Sequence, residues 1–132
     1  MEQITGIAHL GLRVRDLGTA RDFYAKLGFE FIIGPIGPEP VAVMLHPSGV
    51  NINFILNASA DASEENILMD VSEKHTGLTH FALQVTDLEK AKRHVEKFGI
   101  TITETIDTPF ATFFFVRDPD GNVVELNQSK TS

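Results

Sequence analysis

TGIAHLGLRVRDL at residues 5–17 and TGLTHFALQVTDL at residues 76–88 are two copies of one pattern. At an offset of 71, Thr5, Gly6, His9, Leu12, Val14, Asp16 and Leu17 fall on Thr76, Gly77, His80, Leu83, Val85, Asp87 and Leu88. The register continues without a gap to Gly28 over Gly99, adding Ala20 over Ala91 and Lys26 over Lys97. Chance alone would give roughly one or two identities in such a window. The chain is therefore read as a duplicated unit, and a histidine repeated at one position makes the two halves candidates for sharing a site.

Each copy opens with period-2 alternation, the mark of a half-buried strand. Over 7–14, Ala8, Leu10, Leu12 and Val14 oppose Ile7, His9, Gly11 and Arg13. Over 78–85, Phe81, Leu83 and Val85 oppose His80, Ala82 and Gln84. Asp16 and Asp87 follow as helix N-caps. Leu17, Ala20, Tyr24 and Leu27, and then Leu88, Ala91, Val95 and Phe98, recur at helical spacing, with Gly28 and Gly99 just beyond as C-cap glycines. Strands are expected at 29–33 and 100–104. A hairpin closes each half: VAVML, HPSG, VNINFIL upstream and ATFFFVR, DPDG, NVVELN downstream. At an offset of 72, Asn53 lies over Glu125 in these hairpins. Each half is thus strand, helix and about three strands.

Composition bounds the rest. A length of 132 residues suits one compact domain. We expect a first module at 1–56, a linker at 57–75 and a second module at 76–132. No apolar run approaches a membrane span, the N-terminus lacks the features of a signal peptide, and cysteine is absent. The cytoplasm is the default location. A net charge of −7 argues against nucleic acid or an anionic membrane as partner. Asp61, Glu64, Glu65, Asp70 and Glu73 crowd the linker, which reads as a solvated loop; whether it also folds over a cavity as a lid is open.

A glutamate inside the apolar stretch NVVELN is costly to bury unless paired or metal-bound. The duplication supplies four related polar positions: His9, Asn53, His80 and Glu125. If the first and last strands of each half are neighbours, these four can converge. Two imidazoles and a carboxylate suit a divalent ion (Fe, Mn, Ni, Co or Zn), with Asn53 adding an amide oxygen or holding a metal-bound water. Glu125 is also the candidate catalytic carboxylate. Arg13, Gln84, Asn51, Phe113 and Phe115 are candidates to line a substrate pocket, against solvated strand ends and core packing. His46, His75 and His94 are read as turn, linker and helix-face residues. There is no phosphate-binding glycine loop and no G-x-S-x-G elbow.

The stretch RDLGTARDFYAKLGF and the ending FFFVRDPDGNVVELNQ resemble the vicinal oxygen chelate superfamily, which includes glyoxalase I, bleomycin-resistance proteins and extradiol dioxygenases. The resemblance implies an α+β fold: two tandem βαβββ modules whose curved mixed sheet, an incomplete barrel, surrounds a shared cavity, often in a homodimer. It implies His9, His80 and Glu125 as metal ligands, with Asn53 in the fourth place. Glyoxalase I has a glutamate there that acts as base. An amide does not accept a proton near neutral pH, so lactoylglutathione lyase activity is not expected. The expected function is a metal-dependent lyase, isomerase or dioxygenase acting on a small chelating substrate. The alternative is a drug- or metabolite-sequestering binding protein of the bleomycin-resistance type.

Overall fold

The structure is a computed structural model describing residues 1–130 of the chain. The last two positions of the expected second module lie outside the described residues. Chain contacts divide it into two compact units, Met1–Ser63 and the chain from Glu64 onward.

The first unit runs β1 (Leu10–Arg13), α1 (Leu17–Lys26), β2 (Glu30–Ile36), β3 (Val41–Leu45) and β4 (Asn51–Ile55). The second runs β5 (His80–Gln84), α2 (Leu88–Lys97), β6 (Ile102–Asp107), β7 (Ala111–Arg117) and β8 (Val123–Ser129). Each is a βαβββ module with its own four-stranded mixed sheet, ordered β1-β4-β3-β2 and β5-β8-β7-β6. The α+β class and the duplicated modules hold. The first and last strands of each module do pair, in parallel, with Gly11 opposite Asn53 and Ala82 opposite Glu125.

Strand β1 is shorter than the alternation over 7–14 predicts. Its partner β4 begins at Asn51, just after the turn at His46–Val50, and Leu10 is already opposite Ile52. The residues before Leu10 have almost no ladder partner, so His9 lies just outside the strand and is exposed.

Both helices have the expected caps. Asp16 Oδ2 accepts from Thr19 N at 2.8 Å and Asp87 Oδ1 from Lys90 N at 3.1 Å. At the other end Phe29 N donates to Tyr24 O and Gly28 N to Ala25 O; Ile100 N donates to Val95 O and Gly99 N to Glu96 O. These crossed bonds need a left-handed residue, which Gly28 (φ 95) and Gly99 (φ 74) supply.

In each unit the even-numbered residues of the two hairpin strands pack under the helix. Ala42, Met44, Ile52 and Phe54 are fully buried in the first unit, and Tyr24 of α1 meets Phe54 at 5.6 Å between ring centroids. Phe114, Val116 and Val124 are fully buried in the second unit. Each of these side chains larger than alanine contributes roughly 1.5–3 kcal/mol by leaving water. The helix-free face carries Asn51 and Asn53 in the first unit, and His80, Glu125 and Asn127 in the second, among apolar side chains.

The linker is not simply a solvated loop. Arg117 donates from Nη1 and Nη2 to both carboxylate oxygens of Asp70 at 2.9 Å, and Asn66 Nδ2 donates to Gly121 O at 3.0 Å. A strap of residues 64–70 is thereby fastened to the β7–β8 turn. A Cβ at Gly121, whose φ is +80, would collide with the Glu64 carbonyl, so the strap lies where only glycine admits it.

The hydrogen bond from Arg117 holds the Asp70 carboxyl below its ordinary value of 3.8. A carboxylate with a lowered folded value stabilises the fold above its unfolded value, and the contribution disappears as pH falls through the folded one. Hydrogen exchange should therefore show the Met69 and Asp70 amides, which donate to Asn66 O, protected at neutral pH and losing that protection only below about pH 4. Arg117→Gln should remove the protection at all pH values; unchanged exchange in that variant would show that the ion pair does not hold the strap.

Candidate functional site

Parallel pairing of β5 with β8 and antiparallel pairing of β8 with β7 align the helix-free face of the second sheet in rows. His80 is opposite Val123, and Val123 opposite Arg117; Ala82, Glu125 and Phe115 form the next row; Gln84, Asn127 and Phe113 the one after. Glu125 is only 6% exposed, although the residues around it on β8 are Val123, Val124 and Leu126. A lone carboxylate would not be stable there. Two partners account for it. Oε1 lies 3.2 Å from His80 Nε2, and Oε2 accepts from Asn127 Nδ2 at 2.6 Å.

His80 is held at its other nitrogen too, with Nδ1 2.8 Å from Thr79 Oγ1. A hydroxyl both donates and accepts. When Nε2–H donates to Glu125, Thr79 donates to Nδ1. When Nδ1–H donates to Thr79 instead, the Nε2 lone pair is free to bind an electrophile. The Phe115 ring meets His80 edge-on at 5.7 Å and Phe113 at 5.7 Å, so the expected pocket phenylalanines make a half-buried aromatic strip beside the pair. Gln84 is exposed at the far end of β5.

The first sheet carries a different set on the same face. Asn53 is opposite Gly11 on β1 and Val43 on β3, and Asn51 is opposite Leu45. The Oδ1 atoms of both asparagines are buried with no hydrogen-bond partner. An unpartnered buried amide oxygen costs about 1–3 kcal/mol, so something beyond the chain has to satisfy these two. Arg13 Nε donates to Asn57 Oδ1 at 2.9 Å, and Asn57 Nδ2 to Glu39 Oε1 at 2.7 Å, which ties the Arg13 side chain into an exposed polar network.

Among the described residues no three His, Cys, Asp or Glu side chains gather into a metal cluster. What the structure brings together is the pair His80–Glu125. That pair fits a divalent ion: a neutral imidazole nitrogen and a carboxylate oxygen, adjacent, each oriented from behind by a second hydrogen bond.

Thr79 and Asn127 are the functional neighbours that sequence reading passed over. A signal existed in the repeat. Thr79 lies over Ala8 and Asn127 over Ile55, so both polar groups occur only in the half that has the carboxylate. His46 is a turn residue, its Nδ1 accepting from Ser48 N at 3.0 Å, and the ring of His94 stacks against Phe98 on its own helix.

No helix among the described residues is long and apolar enough to cross a membrane. The chain is 29% identical over 134 residues to the trivalent organoarsenical cleaving enzyme of Bacillus sp. (strain MD1), covering 95% of this chain and 74% of that protein. Its fold matches the glyoxylase/bleomycin resistance protein/dioxygenase domain from Frankia sp. EAN1pec, with TM-score 0.78, 20% identity, and 98% and 96% of the two chains covered. It also matches TnmS3, an antibiotic binding protein from Streptomyces sp. CB03234, with TM-score 0.75, 19% identity, and 97% and 98% covered. The family profile spans residues 6–126, from the first copy of the repeated strand to the strand that carries Glu125, and the chain belongs to the Glyoxalase/Bleomycin resistance protein/Dioxygenase superfamily.

Proposed function

We propose that this chain is a metal-dependent enzyme acting on a small oxygenated substrate that chelates the ion, by lyase, isomerase or dioxygenase chemistry. The observation that carries the proposal is the buried Glu125 carboxylate against His80 Nε2 on the open face of the second sheet. His80 and Glu125 hold the ion; His9 is assigned as the third ligand and Asn53 as the fourth position by the repeat and the family pattern. A bound divalent ion would supply charge stabilisation for an oxyanion developing on the substrate.

The chain's own groups do the rest. Thr79 fixes the His80 ring so that Nε2 faces Glu125. Asn127 engages Oε2 and leaves Oε1 to face His80. Phe113 and Phe115 give the substrate an apolar wall. The expected homodimer and cytoplasmic setting belong to the same reading.

This reading takes no substrate from the relative. Trivalent arsenic is a soft centre that prefers thiolates, and this chain contains no cysteine. Lactoylglutathione lyase activity is equally disfavoured by the amide at Asn53.

Protein purified without added metal should contain about one divalent ion per chain by elemental analysis. His80→Ala and Glu125→Ala should each lose it, and His9→Ala should weaken it. Full metal content in His80→Ala would overturn the assignment. A metal-free preparation that binds an apolar drug and turns nothing over would instead favour the sequestering alternative.

Asn127→Ala should raise the dissociation constant for the ion by about 10–100-fold while the protein stays folded. Calorimetric titration with Zn2+ or Mn2+ measures this directly. An unchanged constant would mean that Asn127 does not orient Glu125.

A further inference from the structure

The strap of residues 64–70 contains a stiff turn. Asn66 Oδ1 accepts from Leu68 N at 3.0 Å and from Met69 N at 3.2 Å. Asp70 N donates to Asn66 O at 2.7 Å, and Asn66 N donates to Asp70 Oδ2 at 3.2 Å. Asn66 also holds Gly121 O in the β7–β8 turn, and Asp70 holds Arg117. Between these two anchors, the half-buried Leu68 lies against the chain that leads into β5. A Cβ at Gly77 would stand 3.1 Å from Leu68 Cδ1 and 3.3 Å from Cδ2, so glycine lets the leucine rest directly on the backbone.

That lead-in has no sheet to support it. β8 begins at Val123, opposite His80, and Asp118–Asn122 before it form a turn. The β5 ladder therefore starts at His80 and gives Thr79 no partner strand, yet Thr79 Oγ1 is held 2.8 Å from His80 Nδ1. The first unit has the same lead-in without a strap. Gly6 matches Gly77 in backbone, φ +156 against +155, but a Cβ there meets nothing within 4 Å among the described residues of its own unit. His9 then lies outside its strand and is exposed.

We propose that the strap positions His80. Leu68, clamped between Asn66 and Asp70, fixes the backbone at 76–79 and so keeps the Thr79 hydroxyl on Nδ1. The imidazole itself bonds to Thr79 and Glu125 and not to the strap, which makes Leu68 and Asp70 positioning residues. The consequence for an ion rests on the proposed metal site; the placement of the ring does not. A ring that is no longer held from behind binds an ion less tightly.

The test pairs two measurements. Ring 15N shifts of His80 are recorded with chelator at about pH 8.5, where an ordinary imidazole is neutral. Calorimetric titration then gives the Zn2+ dissociation constant. In the parent, His80 should show one fixed pair of nitrogen shifts, set apart from that of the exposed His9. Leu68→Ala and Asp70→Asn should each move the His80 pair towards the His9 values and raise the Zn2+ constant about tenfold. Leu68→Met, which conserves volume, and Asp70→Glu, which keeps the carboxylate, should retain the parent values of both. Ile67→Ala, on the outward side of the strap at 61% exposure, should change neither. Amide protection in β7 and β8 shows that each variant is folded. A merely structural strap would lower the melting temperature of Leu68→Ala and Asp70→Asn and leave the His80 shifts where they are, which overturns the proposal; so would an equal displacement in Ile67→Ala. A parent that binds no Zn2+ overturns the metal reading instead, and the strap then stands or falls on the ring shifts alone.

Discussion

Parallel pairing between the first and last strands of each module is the constraint from which the sites follow. Parallel neighbours need a crossover, and here the crossover is the helix with the intervening strands. Once the helix covers one face of the sheet, strict alternation commits every second residue to the other face. Ile52 and Phe54, then Val124 and Leu126, go under the helices, and Asn51, Asn53, Glu125 and Asn127 cannot. A one-residue slip in either ladder would bury the polar set under the helix. The apolar core therefore fixes the register that places the chemistry.

The duplication does not make the modules equivalent. Four places where the copies differ concentrate polarity differently: Glu125 against Asn53, Thr79 against Ala8, Asn127 against Ile55, and Val123 against Asn51. In the second module these differences assemble a charged acceptor with a partner on each oxygen and an imidazole fixed at both nitrogens. In the first they leave two neutral acceptors with no partner. The helix caps and apolar cores, which keep the same design in both copies, do not distinguish the halves.

The parts legible in the sequence were those set by local chemistry. Asp16 and Asp87 cap, Gly28 and Gly99 terminate, DPDG turns, and the alternation of NVVELN correctly puts Glu125 on the helix-free face. Contacts between distant positions were not legible. Asp70 and Arg117 are separated by 47 residues, and nothing near either one announces the other. The β1 boundary was misread because periodicity continues through Ile7 and His9, whereas a strand ends where its partner turns away. Thr79 and Asn127 were visible as residues but not as partners, because a side chain's hydrogen bond depends on its rotamer as well as its face.

The choice between enzyme and sequestering protein turns on what a buried carboxylate is for. A binding pocket for an apolar drug gains nothing from Glu125; replacing it by a leucine would remove a desolvated charge together with its need for Asn127. Keeping it makes sense if a cation is its partner, because a carboxylate already desolvated and oriented loses little more when it binds one. His80 fits the same account. Its Nε2 is within reach of Oε1 and its Nδ1 is in contact with a hydroxyl able to serve either tautomer, so with the proton on Nδ1 the ring would offer an Nε2 lone pair to a cation without turning. Each of the two residues has a second hydrogen bond that would hold it in place with a cation between them, and that is the physical support for the proposed metal site.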